Sequence, residues 1–447
     1  MIVPGGFAEH GIGGAKDLPL PPELAIVGAV AALAVSFGVL ALAWREPRYD
    51  GKPDGPVRGR PAPGWLSAVV ASSGWHVAMR TIGLLFFGFG AFAAVFGQDL
   101  LTNPVFGMFY VWWWVGLPVA SLLLGPVWRA VSPVRTINAL VARVSGGDPE
   151  RGVFAYSPRA GYWPAALGLL AFVWIELVYT HGTELGPVRL WCALYVAVML
   201  IGGTLFGNTF YEHADPFEVY STLVSKLSVW AQDADRTLLV RSPLANLSTV
   251  EPKPGLVAVV ATLFGSTAFD SFRDSTPWVK FIQSSDTSSY LLNNLALVGF
   301  CVAVGLVFVA GTTSTGVEPG TRRLALPDQF AHSIVPIVAG YIVAHYLSYL
   351  VEVGQQTLIQ ASDPLSDGSN WFGTAGWSVS YWISYHPTGL ATTKVLAVVL
   401  GHVVGVVAAH DRALTLLPAR HRITGQLPLL LAMVAFTIGG LYLLFAA

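Results

Sequence analysis

Long apolar runs alternate with short charged ones along this chain, and ten of the runs approach the length of a membrane-crossing helix. A helix rises ~1.5 Å per residue and the hydrocarbon core is ~30 Å thick, so roughly 18 or more apolar residues make a crossing. The runs lie near 24–43, 81–97, 106–126, 163–180, 188–207, 255–272, 291–312, 329–352, 388–410 and 427–446. They predict an all-α polytopic transmembrane bundle of about ten spans. Residues 1–23 read as an extracytoplasmic Gly/Pro-rich segment, too polar to insert and with no legible signal peptide. Residues 24–447 read as one helical domain without a visible internal repeat.

Loop charge orients the bundle. Loops after the odd-numbered spans hold 20 of the 25 Lys and Arg, and the opposite side holds Lys16, Arg189, Arg273, Lys280 and Lys394. The positive-inside rule therefore places the odd loops in the cytoplasm and both termini outside. Segments 64–79, 128–145 and 216–231 are expected as interfacial helices on the cytoplasmic surface. In the last, Phe217, Val219, Leu223, Leu227 and Trp230 mix with Asp215, Glu218 and Lys226. The extracytoplasmic loop 353–387, rich in Gly, Ser, Asp and Trp, has the length of a lid over the outer mouth. Trp163, Trp371, Trp377 and Trp382 fall at headgroup level, and Trp112, Trp113 and Trp114 fall deeper.

Composition excludes a soluble globular protein: 11% of residues are charged and 54% hydrophobic, against about 25% charged in soluble domains. The bilayer is the first partner implied, and nothing points to nucleic acid. Arginine outnumbers lysine nineteen to six amid abundant Ala, Gly and Val, a composition that fits the cytoplasmic membrane of a high-GC bacterium. Oligomeric state leaves no mark in the sequence. Cys192 and Cys301 lie in separate apolar runs and read as packing residues, not as a disulfide or thiolate site.

Candidate chemistry rests on titratable residues inside the spans, each costing roughly 2.5–3.5 kcal/mol at a helix centre and so needing a reason. Sorting by depth gives two layers. The outer layer holds Glu176, Asp270, His345 and Glu352, with His181 and His10 able to approach from outside. The inner layer holds His332, His402 and His410, with Glu212 and His213 nearby. Histidine with carboxylates is the ligand set of a Zn, Fe or Mn site, with His345, His10 and Asp270 as metal ligands and Glu352, Asp270 and Glu176 as acid–base groups. Such a metal would bring bound water towards a pKa of ~7. His345 and Glu352, seven residues apart, share one face of span eight with Tyr349 between them. His332 and His345 are 13 residues apart, which raises a haem b reading with His332 and His402 as binding residues. At ~100° per residue, however, 13 steps leave His332 and His345 about 140° apart around the helix. A proton or ion path through the same residues is the transporter alternative.

Several segments together resemble bacterial polytopic membrane proteins labelled fenitrothion hydrolase-like. They are His10-Gly-Ile-Gly-Gly, Asp17-Leu-Pro-Leu-Pro21, Asp215-Pro-Phe-Glu-Val-Tyr220, Thr267-Ala-Phe-Asp-Ser271, Ala344-His-Tyr-Leu-Ser348 with Gly354-Gln355, and Gly401-His402 through His410. The resemblance implies hydrolysis of a small lipophilic organophosphate triester at its P–O–aryl bond.

Overall fold

The computed structural model describes residues 15–49, 57–317 and 322–445. Helix makes up 71% of it, and the protein is a polytopic all-α bundle. The ten apolar runs become spans one to ten: Pro22–Ala43, Ser73–Phe96, Pro104–Leu124, Trp163–Leu177, Leu185–Phe206, Leu256–Arg273, Ser289–Thr313, Val335–Gln360, Pro387–Leu416 and Leu427–Phe445. Among the described residues nine helices are long and apolar enough to cross a membrane; span four, at 15 residues, is the shorter exception.

Spans six and eight form the centre, with 72% of their apolar windows buried, whereas span two has 11% buried and lies at the rim. Spans eight and nine approach closely because glycines face backbone. A Cβ on Gly340 would lie 2.3 Å from the Ala397 carbonyl oxygen, and one on Gly401 would lie 2.5 Å from that of Pro336. Small residues at a contact are how membrane helices gain dispersion energy without a hydrophobic drive. Gly401→Val is expected to cost about 1–3 kcal/mol by overpacking, read as a lower midpoint of thermal unfolding in detergent.

Span three departs from α geometry: Met108–Gly116 is π-helical, between α turns Pro104–Gly107 and Leu117–Leu124. Pro118 has no N–H for the Trp114 carbonyl and would crowd it in an α register, which a widened turn relieves. Trp113 and Trp114 are buried here against Phe172, Trp191, Tyr195 and Phe217.

The three expected surface helices change form. Segment 64–79 breaks at Ser72, whose Oγ accepts from Trp75 N at 3.1 Å and caps span two, so that span begins at Ser73. Segment 128–145 is two helices, Val127–Val131 and Pro133–Val144. Segment 216–231 is a correction: its helix, Pro216–Ser225, is buried on nearly every side, and its end becomes the strand Trp230–Gln232. That strand joins Leu238–Val240 and Arg60–Pro61 in a small antiparallel sheet. The helix can be interior because its polar residues find partners there. Asp215 accepts from Trp128 Nε1 at 2.8 Å, Tyr195 OH at 3.0 Å and Phe217 N at 3.0 Å. Glu218 takes both arms of Arg135, at 2.5 and 2.6 Å.

Lys394, read from the sequence as one of the few basic residues on the outer side, is likewise buried, at 3% exposure. Span eight runs on to Gln360, so the loop towards span nine starts at 361 and not at 353.

Candidate functional site

The end of span six places Asp270 and Ser271 on adjacent helical positions, and His345 of span eight reaches both. Its Nε2 lies 3.0 Å from Asp270 Oδ2 and its Nδ1 lies 3.1 Å from Ser271 Oγ. Tyr346 OH donates to the same Asp270 oxygen at 2.7 Å. Ser271 Oγ also lies 3.0 Å from Tyr341 OH and 3.2 Å from the Thr267 carbonyl oxygen. A neutral imidazole has one donor and one acceptor nitrogen. With Nε2–H donating to the Asp270 carboxylate, Nδ1 is left to accept from a hydroxyl. The result is a hydrogen-bonded line from Ser271 through His345 and Asp270 to Tyr346.

A carboxylate inside the bundle calls for a counter-charge. Arg273, three residues on from Asp270, supplies it: its Nε is 3.3 Å from Asp270 Oδ1, and one guanidinium nitrogen donates to the Leu177 carbonyl at 2.8 Å. Arg273 thus ties span six to the end of span four, which carries Glu176. A polar cavity of about 110 Å³ lies between these spans, lined by Tyr110, Glu176, Asp270, Arg273, Tyr346 and Tyr349, with Tyr179, Thr180, Gly182 and Thr183 at its edge. Tyr110 OH donates to the Gly182 carbonyl at 2.6 Å and fixes that edge. Glu176 Oε2 is buried and has no hydrogen-bond partner among the described residues.

Of the expected outer layer, the structure therefore brings together Asp270 and His345 directly, and Glu176 with Asp270 across the cavity. Glu352 stands apart. Its Oε1 accepts from Ser384 N at 3.2 Å and from Ser384 Oγ, so it holds the loop that precedes span nine. No residue of 361–386 is among those lining the cavity. His181 is exposed and pairs with Glu184 at 2.7 Å. His10 lies outside the described residues.

The inner layer does not converge. His332 Nδ1 meets the Gln329 carbonyl at 3.1 Å and its ring also bonds the backbone of Ala408 in span nine, whereas His402 Nδ1 meets the Val398 carbonyl one turn back at 2.8 Å. His410 bridges Gln426 Oε1 and the Trp44 carbonyl, at 3.0 and 2.9 Å. Beside it, Asp411 accepts from Trp44 Nε1, Arg48 N and Tyr49 N. These two residues fasten the chain after span one to span nine. Among the described residues no three of His, Cys, Asp and Glu gather as a metal site. His345 and Asp270 offer two donors, and a third would come from elsewhere.

Sequence reasoning missed Arg273, Tyr346, Tyr110 and Ser271. Arg273 was legible only as a loop cation, although its i, i+3 spacing from Asp270 was a usable signal.

Glu212 and His213 belong to a separate network on the basic side. Glu212 pairs with Arg129 at 2.8 Å, and Lys253 Nζ donates to His213 Nε2 at 2.7 Å while His213 Nδ1 meets the Thr209 carbonyl at 2.9 Å. Burial, followed by the neighbouring Glu218, pushes the Asp215 carboxyl up to about 7 despite its three hydrogen bonds. A carboxyl raised on folding binds more protons in the folded than in the unfolded chain between its ordinary pKa and its raised one. The Asp215 contribution to stability is therefore full below about 4, declines as pH rises, and is lost above about 7. Asp215→Asn is expected to flatten that part of the thermal midpoint's dependence on pH in detergent.

Compared with protein-family models, curated proteins and solved structures, the chain matches none.

Proposed function

We propose that the chain is a hydrolase of the bacterial cytoplasmic membrane, acting on lipophilic organophosphate triesters at the polar cavity between spans three, four, six and eight. The observation that supports this most is the Ser271–His345–Asp270–Tyr346 line with Asp270 and Tyr346 on the cavity wall. A carboxylate backed by a histidine is a competent general base. In this reading a cavity water attacks phosphorus. A lone pair on its oxygen forms the new O–P bond, its proton goes to Asp270 while the O–H pair stays on that oxygen, and the aryl oxygen leaves with the P–O pair. Tyr346 and Arg273 are the donors for the charge that develops on the phosphoryl oxygens. Glu176 is the second carboxylate at the cavity and holds water.

The metal-assisted form of the reading puts a Zn, Fe or Mn ion on His345 and Asp270 with His10 as third ligand, and no step above depends on it. Elemental analysis of purified protein decides that form: stoichiometric metal lost in His345→Ala supports it, and metal-free protein with full activity removes it. A Soret band would instead support the haem b alternative at His332 or His402.

The cavity's volume favours a second reading. About 110 Å³ is below the roughly 300–1,000 Å³ of sites for drug-sized ligands and suits several waters or a small ion. Two carboxylates and an arginine around such a space are the parts of a proton path. Proteoliposomes loaded with a pH-sensitive dye separate the two: proton flux abolished in Glu176→Gln, with no triester hydrolysis in the parent protein, would establish the path and end the hydrolase reading.

A further inference from the structure

The loop between spans eight and nine carries large aromatic side chains that the bundle does not bury. Trp377, Trp382 and Tyr385 are 61%, 65% and 79% exposed. Between Ser366 and Tyr385 the single formal charge is Asp367. Several of the loop's polar groups are instead bonded within it. Ser362 Oγ and Thr374 Oγ1 are 2.6 Å apart, Thr374 N donates to Ser362 Oγ, and Asp363 accepts from the amides of Asp367 and Gly368. A nearly uncharged segment that turns aromatics outward suits the headgroup–acyl boundary, where backbone groups without an internal partner can still meet water and headgroups.

Its placement gives a depth. Trp371 packs on Phe92 with ring centroids 5.5 Å apart, and Phe372 packs on Phe89 at 5.7 Å. Both partners belong to span two, the rim helix, which ends at Phe96. At ~1.5 Å per residue, Phe92 and Phe89 lie about 6 and 10 Å below that end. The 24-residue span is about 36 Å long, only slightly more than a ~30 Å hydrocarbon core. A loop lying freely in water would not touch a lipid-facing helix at that level. Gln98 Nε2, donating to the Ser366 carbonyl at 3.0 Å, ties the descending end to span two.

We propose that residues 366–385 form a re-entrant interfacial loop, seated in the headgroup–acyl boundary with Trp371 and Phe372 against span two and Trp377, Trp382 and Tyr385 turned to lipid. Trp and Tyr favour that boundary because they present an apolar body and a polar tip. The seat is mechanically joined to the helix that bears His345. Glu352 accepts from Ser384, and Gln355 exchanges two hydrogen bonds with Ser380, at 3.1 and 3.3 Å.

The test uses the full chain in phospholipid nanodiscs, with Cys192 and Cys301 replaced by Ala and a single cysteine at Phe372, Trp377 or Trp382 carrying an environment-sensitive fluorophore. Asp235→Cys, exposed on the turn between two strands, is the aqueous control. Lipid spin-labelled just below the headgroup is expected to lower emission at all three loop positions by about twofold or more, with iodide ineffective there and effective at the control. Iodide quenching at the loop equal to that at the control would overturn the proposal, as would indifference to every lipid label. Should labelling disturb the loop, brominated lipids with the unlabelled protein serve instead. Their quenching should fall in the Trp377→Phe/Trp382→Phe variant, and unchanged quenching counts against the seat.

Discussion

Asp270→Asn is expected to lower aryl phosphotriester hydrolysis by about 10²–10⁴-fold, the usual contribution of a positioned acid–base group, while the protein stays folded. The amide keeps an acceptor for Tyr346 OH but cannot take a proton from water. It also leaves Arg273 without the carboxylate that lies 3.3 Å from its Nε. His345→Gln should lose a similar factor. Ser271→Ala separates two roles for the hydroxyl that meets His345 Nδ1 at 3.1 Å: loss comparable to Asp270→Asn would make Ser271 the nucleophile, and a small loss would leave water in that role. Glu352→Gln is the contrast, because its carboxylate serves Ser384 and should change the rate little. Release of the aryl alcohol by protein in nanodiscs reads all four variants. Equal rates in the parent protein and Asp270→Asn would exclude the proposed base.

Arg135→Ala is expected to be the most damaging single change to stability, at about 3–5 kcal/mol, because it strands a buried carboxylate. The Glu218 side chain is 1% exposed and takes both guanidinium arms. Burial raises its carboxyl pKa, and Arg135 works against that rise. Arg135 also lies over Tyr211 at 5.2 Å, so its loss removes packing as well as charge. The Arg135→Met/Glu218→Leu pair should recover most of the loss, since a matched apolar pair leaves nothing buried unpaired. Thermal unfolding in detergent reads both, and an unchanged midpoint in Arg135→Ala would show that the ion pair does not hold the Pro216–Ser225 helix.

Hydropathy made the spans legible because a bilayer crossing constrains length and polarity together, residue by residue. It gave less at Pro216–Ser225, where alternating polar and apolar residues suit an interfacial helix equally well. Only the arrival of Trp128, Tyr195 and Arg135 from distant segments makes the interior available to Asp215 and Glu218. Depth sorting brought Glu176, Asp270 and His345 to one level. It could not tell which neighbours their helices face, so Glu352 fell into the same layer although its partner is a loop serine. The π-helical stretch of span three was hidden for a related reason: Pro118 signals a disturbance but not which way the backbone resolves it.

Span four, which carries Glu176 one residue before its end, is only 15 residues long, about 22 Å of helix at ~1.5 Å per residue. A ~30 Å core exceeds that by several ångströms, and short spans draw the surrounding bilayer thinner or let water descend to meet them. Membrane thickness therefore becomes a variable of the site itself. Lipids with shorter acyl chains relieve the mismatch beside span four and bring the headgroup plane towards Glu176, whereas longer chains bury the cavity's edge under hydrocarbon. Span four, at 15 residues, suits a thinner membrane than span two, at 24.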